Sequence, residues 1–333
     1  MRKACIVASS YYKGNRIFDM NDKESNRNNC LYPFYVLKNE FKKHDIDLST
    51  HDINTIEESE IVIYNEMPEM LPKKEDIHKS YLLIYETELI LPNNWNLKKH
   101  EYFSKIFTWH DQYVDNQKYF KINYAHEIPK DYKIENRNRQ KLCTLISGNK
   151  KKKSHLKELY SERLRAIEWF EEHQSADFQF YGIGWDAYMF SRPYHYFNRI
   201  GFLRRLFTKK YKTYCGMVES KFETMSEYKF AICYENVRDI PGYISEKIMD
   251  CFFAGCVPIY LGAPNILDFI PQECFIDKDK FNSYEELYDY IKNMSAEDYN
   301  EYLDQIEAYI NCKEFEIFSV ETFAKSICKV VLG

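Results

Sequence analysis

The ten cysteines include no Cys-x-x-Cys pair, so a zinc site with regular ligand spacing is not expected. Cys5, Cys143, Cys233 and Cys256 lie instead inside apolar strand-like runs. A thiol there behaves as a small buried hydrophobe, which suits a reducing compartment, and the expected location is the cytoplasm. Long apolar runs are missing as well. The N-terminus, MRKACIVASSYY, has too short a run for a secretory leader and far too short a one for a membrane span. Neither sign of charge dominates: 46 basic residues stand against 51 acidic ones, a formal net charge of −5. Nothing global therefore attracts nucleic acid, and no nucleic-acid partner is expected. Internal repeats and low-complexity segments are absent too. Aromatics, by contrast, are abundant, with 29 Tyr and 23 Phe. Sugar sites favour flat aromatic surfaces, but a biased composition is the simpler reading.

A chain of 333 residues is long enough for two domains, each with its own core. Short apolar runs at Lys3 to Ser9, Ile46 to Leu48, Glu60 to Tyr64, Tyr81 to Tyr85 and Lys105 to Trp109 read as strands. They alternate with polar segments and with a short helix, Pro33 to Phe41, which argues for a layered α/β domain. Lys13 to Asn29 reads as a loop. Pro129 to Gln140 is almost entirely polar and reads as an interdomain linker. The rhythm then restarts: a strand at Lys141 to Ile146, a helix over Lys157 to Glu172 and a strand at Phe178 to Tyr181. Beyond a short strand at Cys274 to Ile276 the tail is helical. Ser283 with Glu286, and Ser295 with Asp298, have the spacing of helix caps, and a last helix runs over about Ser319 to Val331.

The chemistry gathers between Phe230 and Asn265. An apolar strand, Phe230 to Cys233, turns polar at Glu235 and Asn236 and breaks at Pro241-Gly242. A helix follows over about Ser245 to Ala254, stopped by Gly255, and then a strand, Val257 to Leu261. In an open parallel sheet, ligands bind where such a strand hands over to its helix. The N–H groups at Ser245, Glu246 and Lys247 can receive a diphosphate, and Lys247 adds a full positive charge. Glu246 can accept from both hydroxyls of a ribose, while Tyr243 and Asn236 add donors. The other reading is a helix start that is merely capped.

This stretch resembles the signature of the α-1,3/1,4-fucosyltransferases, glycosyltransferase family 10. The matching residues are the Glu235-Asn236 pair, the core Tyr243-Ile244-Ser245-Glu246-Lys247 and the run Ala254 to Pro264. Ser245 replaces the commoner Thr and keeps the hydroxyl, and Val237 to Gly242 follows its own sequence. The resemblance implies two Rossmann-like α/β domains facing each other across a cleft, the glycosyltransferase B type. Residues 1–135 become the acceptor-binding domain with the general base, 136–315 the GDP-sugar-binding domain, and 316–333 a terminal helix packing back on the first. With no N-terminal anchor and no C-terminal heptad repeats, the chain looks like a soluble bacterial-type member.

The implied reaction is an inverting transfer of L-fucose from GDP-β-L-fucose to a glycan hydroxyl. The acceptor is a galactoside or N-acetylglucosaminide, the linkage α-1,3 or α-1,4, and the setting cell-surface polysaccharide or lipopolysaccharide synthesis. One direct displacement needs one general base and no general acid. Counting back from Pro92, Asn93 and Trp95, the family's glutamate falls on Glu88, with Glu86 the rival two positions earlier. Apart from the resemblance, both read as solvated loop acids. For the leaving diphosphate the family has an arginine opening a helix after the second domain's first strand. Here that is Arg163, with Arg165 competing. The implied donor set is thus Arg163, Glu235, Asn236, Tyr243, Glu246 and Lys247, with Ser147, Gly148 and Asn149 as weaker contacts. No metal or other cofactor is implied. The Asp45-x-Asp47 and Asp277-x-Asp279 patterns read as solvated strand-end acids. His110 reads as a loop residue near the cleft. The alternatives are another GDP-sugar donor on the same fold, or a nucleotide-sugar-binding protein without turnover.

One basic-aromatic segment stands apart. Tyr194 to Tyr214 carries Arg199, Arg204, Arg205, Lys209, Lys210 and Lys212 among Phe197, Phe202, Leu203 and Phe207. It reads either as a peripheral contact with the inner face of an anionic membrane or as a solvated helix with a core-facing stripe.

Overall fold

The computed structural model describes residues 1–150, 157–188 and 194–333, without the side chains of His195, Leu203 and Arg205. The first half contains β1 (Arg2–Val7), α1 (Tyr32–Lys43), β2 (Ile46–Thr50), β3 (Ile61–Asn65), β4 (Ser80–Ile84), β5 (Lys105–Thr108) and β6 (Tyr119–Lys121). They form a six-stranded parallel sheet in the order β2-β1-β3-β4-β5-β6. Its strands are apolar on both faces because both faces are covered. Ala4, Ile6, Ile63, Leu83 and Phe107 point to one side, and Cys5, Val62, Leu82, Ile84 and Ile106 to the other.

The second half contains β7 (Lys141–Ile146), α2 (Tyr160–His173), β8 (Phe178–Tyr181), α3 (Gly201–Leu206), α4 (Lys221–Met225), β9 (Tyr228–Tyr234), α5 (Glu246–Phe253), β10 (Val257–Leu261) and β11 (Ile276–Asp277). Its five strands are again parallel, in the order β11-β10-β9-β7-β8. The helix expected from Lys157 starts later. The Glu158 carboxylate accepts the backbone N–H of Tyr160 at 2.7 Å and of Ser161 at 3.1 Å, which fixes the first turn of α2 at Tyr160.

Three helices close the chain: α6 (Tyr284–Asn293), α7 (Ala296–Ile310) and α8 (Val320–Leu332). Ser283, Ser295 and Ser319 cap them, each accepting the N–H three residues on. The Glu286 carboxylate accepts the N–H of Asn282 at 2.9 Å, so only half of a capping box forms around Ser283. The last helix returns to the first half. Phe323, Ala324, Ile327, Cys328 and Val331 join the α1 side of the first sheet.

The polar segment 129–140 has no regular structure, yet it is docked rather than solvated. Ile134 enters the core of the second half. The buried Arg139 guanidinium donates to the carbonyls of Tyr228 at 2.9 Å and Ala254 at 2.6 Å. A buried charge survives there because carbonyl oxygens surround it.

Candidate functional site

A cavity of about 1060 Å3 lies between the two halves, at the C-terminal ends of β3 and β4. Asn65, Glu66, Tyr85, Glu86 and His126 line it from the first half, and Arg139, Lys221, Glu246, Asp250 and Phe253 from the second. Its size suits a nucleotide sugar.

On the second wall, β9 ends at Tyr234, and the next residue, Glu235, is 0 % exposed. Its carboxylate accepts the Ser245 N–H at 2.8 Å, the Ser245 hydroxyl at 2.6 Å and the Lys247 ammonium at 3.3 Å. Glu235 therefore ties the strand to the start of α5 and sets Lys247 in place; its own oxygens face inward. Ser245 is the N-cap of α5, as expected. Gly255 takes a φ of +64°, the left-handed conformation that ends the helix.

Charge on this wall is tightly coupled. Burial works against the Lys247 ammonium, but Glu246 and Glu235 outweigh it and hold its pKa above that of an ordinary lysine. Glu246 is pressed the other way: burial opposes its charge, yet Lys247 and Lys221 bring it down to about 2. Lys221, the first residue of α4, pairs with Asp250 at 2.7 Å, one turn beyond Glu246 on α5. The sequence reading missed Lys221 and Asp250. Their only local signal is the helical spacing of Asp250 from Glu246.

Arg163 is buried at the first turn of α2. Its guanidinium donates to the carbonyls of Tyr234 at 2.6 Å and Glu235 at 2.7 Å, to Asn236 Oδ1 at 3.1 Å and to the Ser147 hydroxyl at 3.3 Å. Arg163, Ser147, Lys221 and Lys247 line a small cavity of about 40 Å3 that shares Lys221 and Asp250 with the large cleft. Arg165 points to solvent and pairs with Glu162 at 3.1 Å, so of the two arginines only Arg163 reaches the strand ends. Asn236 donates to the Tyr243 hydroxyl at 3.2 Å. The Tyr243 ring is buried against Trp109 of the first half, with centroids 4.7 Å apart. Beside it, Gly242 has a φ of +81°, and a Cβ there would meet the Trp109 carbonyl at 2.3 Å. Only glycine permits this close approach between the halves. Gly148 and Asn149 lie at the β7 exit, where Asn149 donates to the Gly184 carbonyl at 3.0 Å.

On the first wall the structure separates the two acids after β4. Glu86 lines the large cleft. Glu88, the expected base, lines a different cavity of about 140 Å3 with Trp95, Trp109, His110 and Asp239. The expectation assumed an extended chain with both acids on one face. Instead the chain turns at Thr87, whose carbonyl accepts the N–H of Ile90 at 3.0 Å and of Leu91 at 2.9 Å. The Pro92–Trp95 turn then folds back, and Trp95 Nε1 donates to the Glu86 carbonyl at 3.0 Å. His110 stacks on Trp109 and faces the smaller cavity, and burial holds its pKa down, to about 4.

The Asp-x-Asp patterns lie away from the cleft. Asp47 pairs with Lys38 at 3.4 Å, and Asp279 with Arg238 at 2.7 Å. Among the described residues, no cluster of His, Cys, Asp and Glu has the arrangement of a metal site.

Comparison with known proteins follows this geometry. Residues 207–331 match the family "Glycosyltransferase family 10 (fucosyltransferase) C-term". The Helicobacter pylori alpha-(1,3)-fucosyltransferase FucT is 40% identical over 90 residues, 27% of this chain and 18% of that protein. An Arabidopsis thaliana alpha-(1,4)-fucosyltransferase is 41% identical over 80 residues, 23% of this chain and 20% of that one. The chain thus spans about a fifth of the length of these curated relatives. A crystal structure of an alpha1,3-fucosyltransferase with GDP-fucose aligns over 100% of this chain and 90% of its own, with a TM-score of 0.55 at 15% identity. That likeness carries the fold. Two parallel-sheet domains facing across a cleft are the glycosyltransferase B type, and residues 207–331, with α5 and its charged start among them, are similar to the C-terminal domain of glycosyltransferase family 10.

Proposed function

We propose that the chain is an inverting fucosyltransferase that moves L-fucose from GDP-β-L-fucose to a hydroxyl of a galactoside or N-acetylglucosaminide, in α-1,3 or α-1,4 linkage. The observation that carries this reading is the cleft itself. A carboxylate, Glu86, stands on one wall and Glu246, the first residue of α5, on the other, with Lys247 next to it lining the small adjoining cavity. The base is Glu86 rather than Glu88, because only Glu86 lines the cavity that Glu246 shares.

In the transfer, the acceptor hydroxyl gives its proton to Glu86 as its oxygen bonds to the anomeric carbon. The bond from that carbon to the phosphate oxygen breaks, and GDP leaves with both electrons. Its charge falls on the α5 N-terminus and Lys247, with Arg163 behind them. Glu246 receives the ribose hydroxyls, and Asn236 and Tyr243 hold the loop above them. Glu235 acts through Lys247. No metal enters, so EDTA should leave the rate unchanged.

Two isosteric variants test the reading by GDP release with GDP-fucose and N-acetyllactosamine. Glu86→Gln should lower kcat by about 10²- to 10⁴-fold while GDP binding persists. Glu88→Gln should stay within about threefold of the wild type. The opposite pattern returns the base to Glu88. A wild type that binds GDP but turns over neither GDP-fucose nor GDP-mannose makes the chain a binder.

The setting we propose is the cytoplasmic face of a membrane, in the synthesis of cell-surface polysaccharide or lipopolysaccharide. No helix among the described residues is long and apolar enough to cross a membrane. The segment expected to be one helix is a turn, Tyr194–Arg199, followed by the short α3; the calls on the Leu203 and Arg205 side chains lie outside the described residues. Tyr211 and Tyr214 pack against the second core, while three of its apolar residues face outward: Phe202 is 73 % exposed, Leu206 64 % and Phe207 58 %. Arg199, Lys209 and Lys210 are exposed beside them. Co-sedimentation with phosphatidylglycerol vesicles, lost with Phe202→Glu and in high salt, would support this contact; no pelleting at low salt removes it.

A further inference from the structure

We infer that Glu66 is a positioning residue for Glu86, a second half-buried acid that holds the Glu86 backbone and shares its cavity as one coupled pair. This rests on the transferase reading above and deepens it by naming the group that tunes the base.

The register of the sheet brings the two acids together. β3 and β4 run parallel with Asn65 opposite Leu83, so the residue after β3 lies beside the exit of β4. Glu66 takes a φ of +71° there, while its N–H donates to the Leu83 carbonyl at 2.9 Å. A left-handed conformation is costly for a long side chain and persists where surrounding bonds over-determine it. Those bonds are present. Glu66 Oε1 accepts the N–H of Glu86 at 2.9 Å and of Tyr85 at 3.2 Å. Glu66 Oε2 accepts the Asn94 side-chain amide, which also donates to the Glu86 carbonyl at 3.2 Å. Asn94 Oδ1 in turn accepts the Met67 N–H at 2.8 Å, closing the ring around Glu86.

Charge couples the pair as well. Burial, and then the Glu86 charge, push the Glu66 acid up to about 7, against the three hydrogen bonds that favour its ionised form. The Tyr85 hydroxyl feels Glu66 in return. Arg27, His126, Glu127, Lys133, Glu135, Arg139, Lys221, Glu246 and Asp250 are the charged groups and the histidine that line the same cavity from other elements. Two acids so placed titrate as a pair. Loss of the Glu66 proton as pH rises through about 7 puts a negative charge beside Glu86, which favours proton transfer to it. The folded chain binds that proton more tightly than the unfolded one. Stability from Glu66 therefore falls as pH rises from the ordinary carboxyl range through about 7.

The test compares the full-length wild type, Glu66→Gln and Glu66→Ala by GDP release from GDP-fucose with N-acetyllactosamine, from about pH 5 to about pH 9. Glu66→Gln keeps an acceptor for the two N–H groups but removes the charge. It should lose the inflection near 7 and turn over about three- to tenfold more slowly above it. Glu66→Ala should lose about 10²-fold in kcat, with the KM for GDP-fucose within about twofold, because a loosened base misplaces one reacting group and leaves the donor alone. Wild-type rate and pH profile in Glu66→Gln overturn the inference, as does a KM that rises as much as kcat falls. A wild type that releases no GDP defeats the transferase reading instead. Denaturant midpoints then decide the pair: a wild-type stability loss between about pH 5 and about pH 7.5 that Glu66→Gln lacks supports it, and parallel curves overturn it.

Discussion

Around Glu86 the first wall of the cleft is held through its backbone, whereas around Glu246 the second wall is held through side-chain charge. The N–H and carbonyl of Glu86 are both engaged, by Glu66, Asn94 and Trp95. The carbonyl before it accepts Trp109 Nε1 at 2.7 Å and the Tyr124 hydroxyl at 2.6 Å. On the facing wall, Lys247, Glu246, Glu235, Lys221 and Asp250 fix one another by ion pairs. In the proposed transfer the general base has to be aimed, and bonds to its backbone fix where its side chain starts. A diphosphate has to be neutralised, and preset cations at a helix start do that with little reorganisation.

Four outcomes break or sharpen this contrast. Arg163→Ala should have the largest effect, because four acceptors lose one buried cation. A loss of about 3 kcal/mol or more in unfolding free energy is expected, with GDP binding weakened by calorimetry. Lys247→Met comes next, with GDP affinity down by about 10- to 100-fold, the range of one charge-assisted hydrogen bond. If GDP binds unchanged, the second wall is not the phosphate site. Trp95→Phe removes one donor from the Glu86 carbonyl. It should lower kcat by about tenfold at most while GDP affinity stays the same, and a matching loss in both would mean the walls are not separable.

The smallest effect is in pH, and there the walls have opposite signs. Glu246 is held at about 2, below the usual carboxyl range. Its contribution is fully present above that range and is lost as pH falls toward 2. Glu66 contributes in the reverse sense, losing stability as pH rises through about 7. Glu246→Gln should therefore flatten the acid side of the stability curve and Glu66→Gln the neutral side. If either variant changes the other's limb, the two walls titrate together.

Much of the second wall was legible because its signals are local. Ser245 caps the helix that its neighbours form, Gly255 stops it, and Glu246 and Lys247 share one turn. The first wall was harder. The acids Glu86 and Glu88 are separated by a turn whose bonds come from Ile90 and Leu91, and no periodicity announces it. Glu66 lies 20 residues before Glu86, and Lys221 lies 29 before Asp250. Such pairs meet through sheet register and helix packing, which short windows do not contain. The docking of segment 129–140 was not legible for the same reason: its composition is polar, and Arg139 finds its carbonyl partners 89 and 115 residues away.

By itself, the order of apolar runs, caps and breakers determined two parallel α/β layers and a charged helix start after β9, because strand alternation, N-caps and left-handed glycines depend on residues a few positions apart. Which acid faces that helix start across the cleft was decided only in three dimensions. Parallel pairing of β3 with β4 set Glu66 over the Glu86 backbone, the turn at Thr87 carried Glu88 to a different cavity, and the return of α8 onto the first sheet joined the halves.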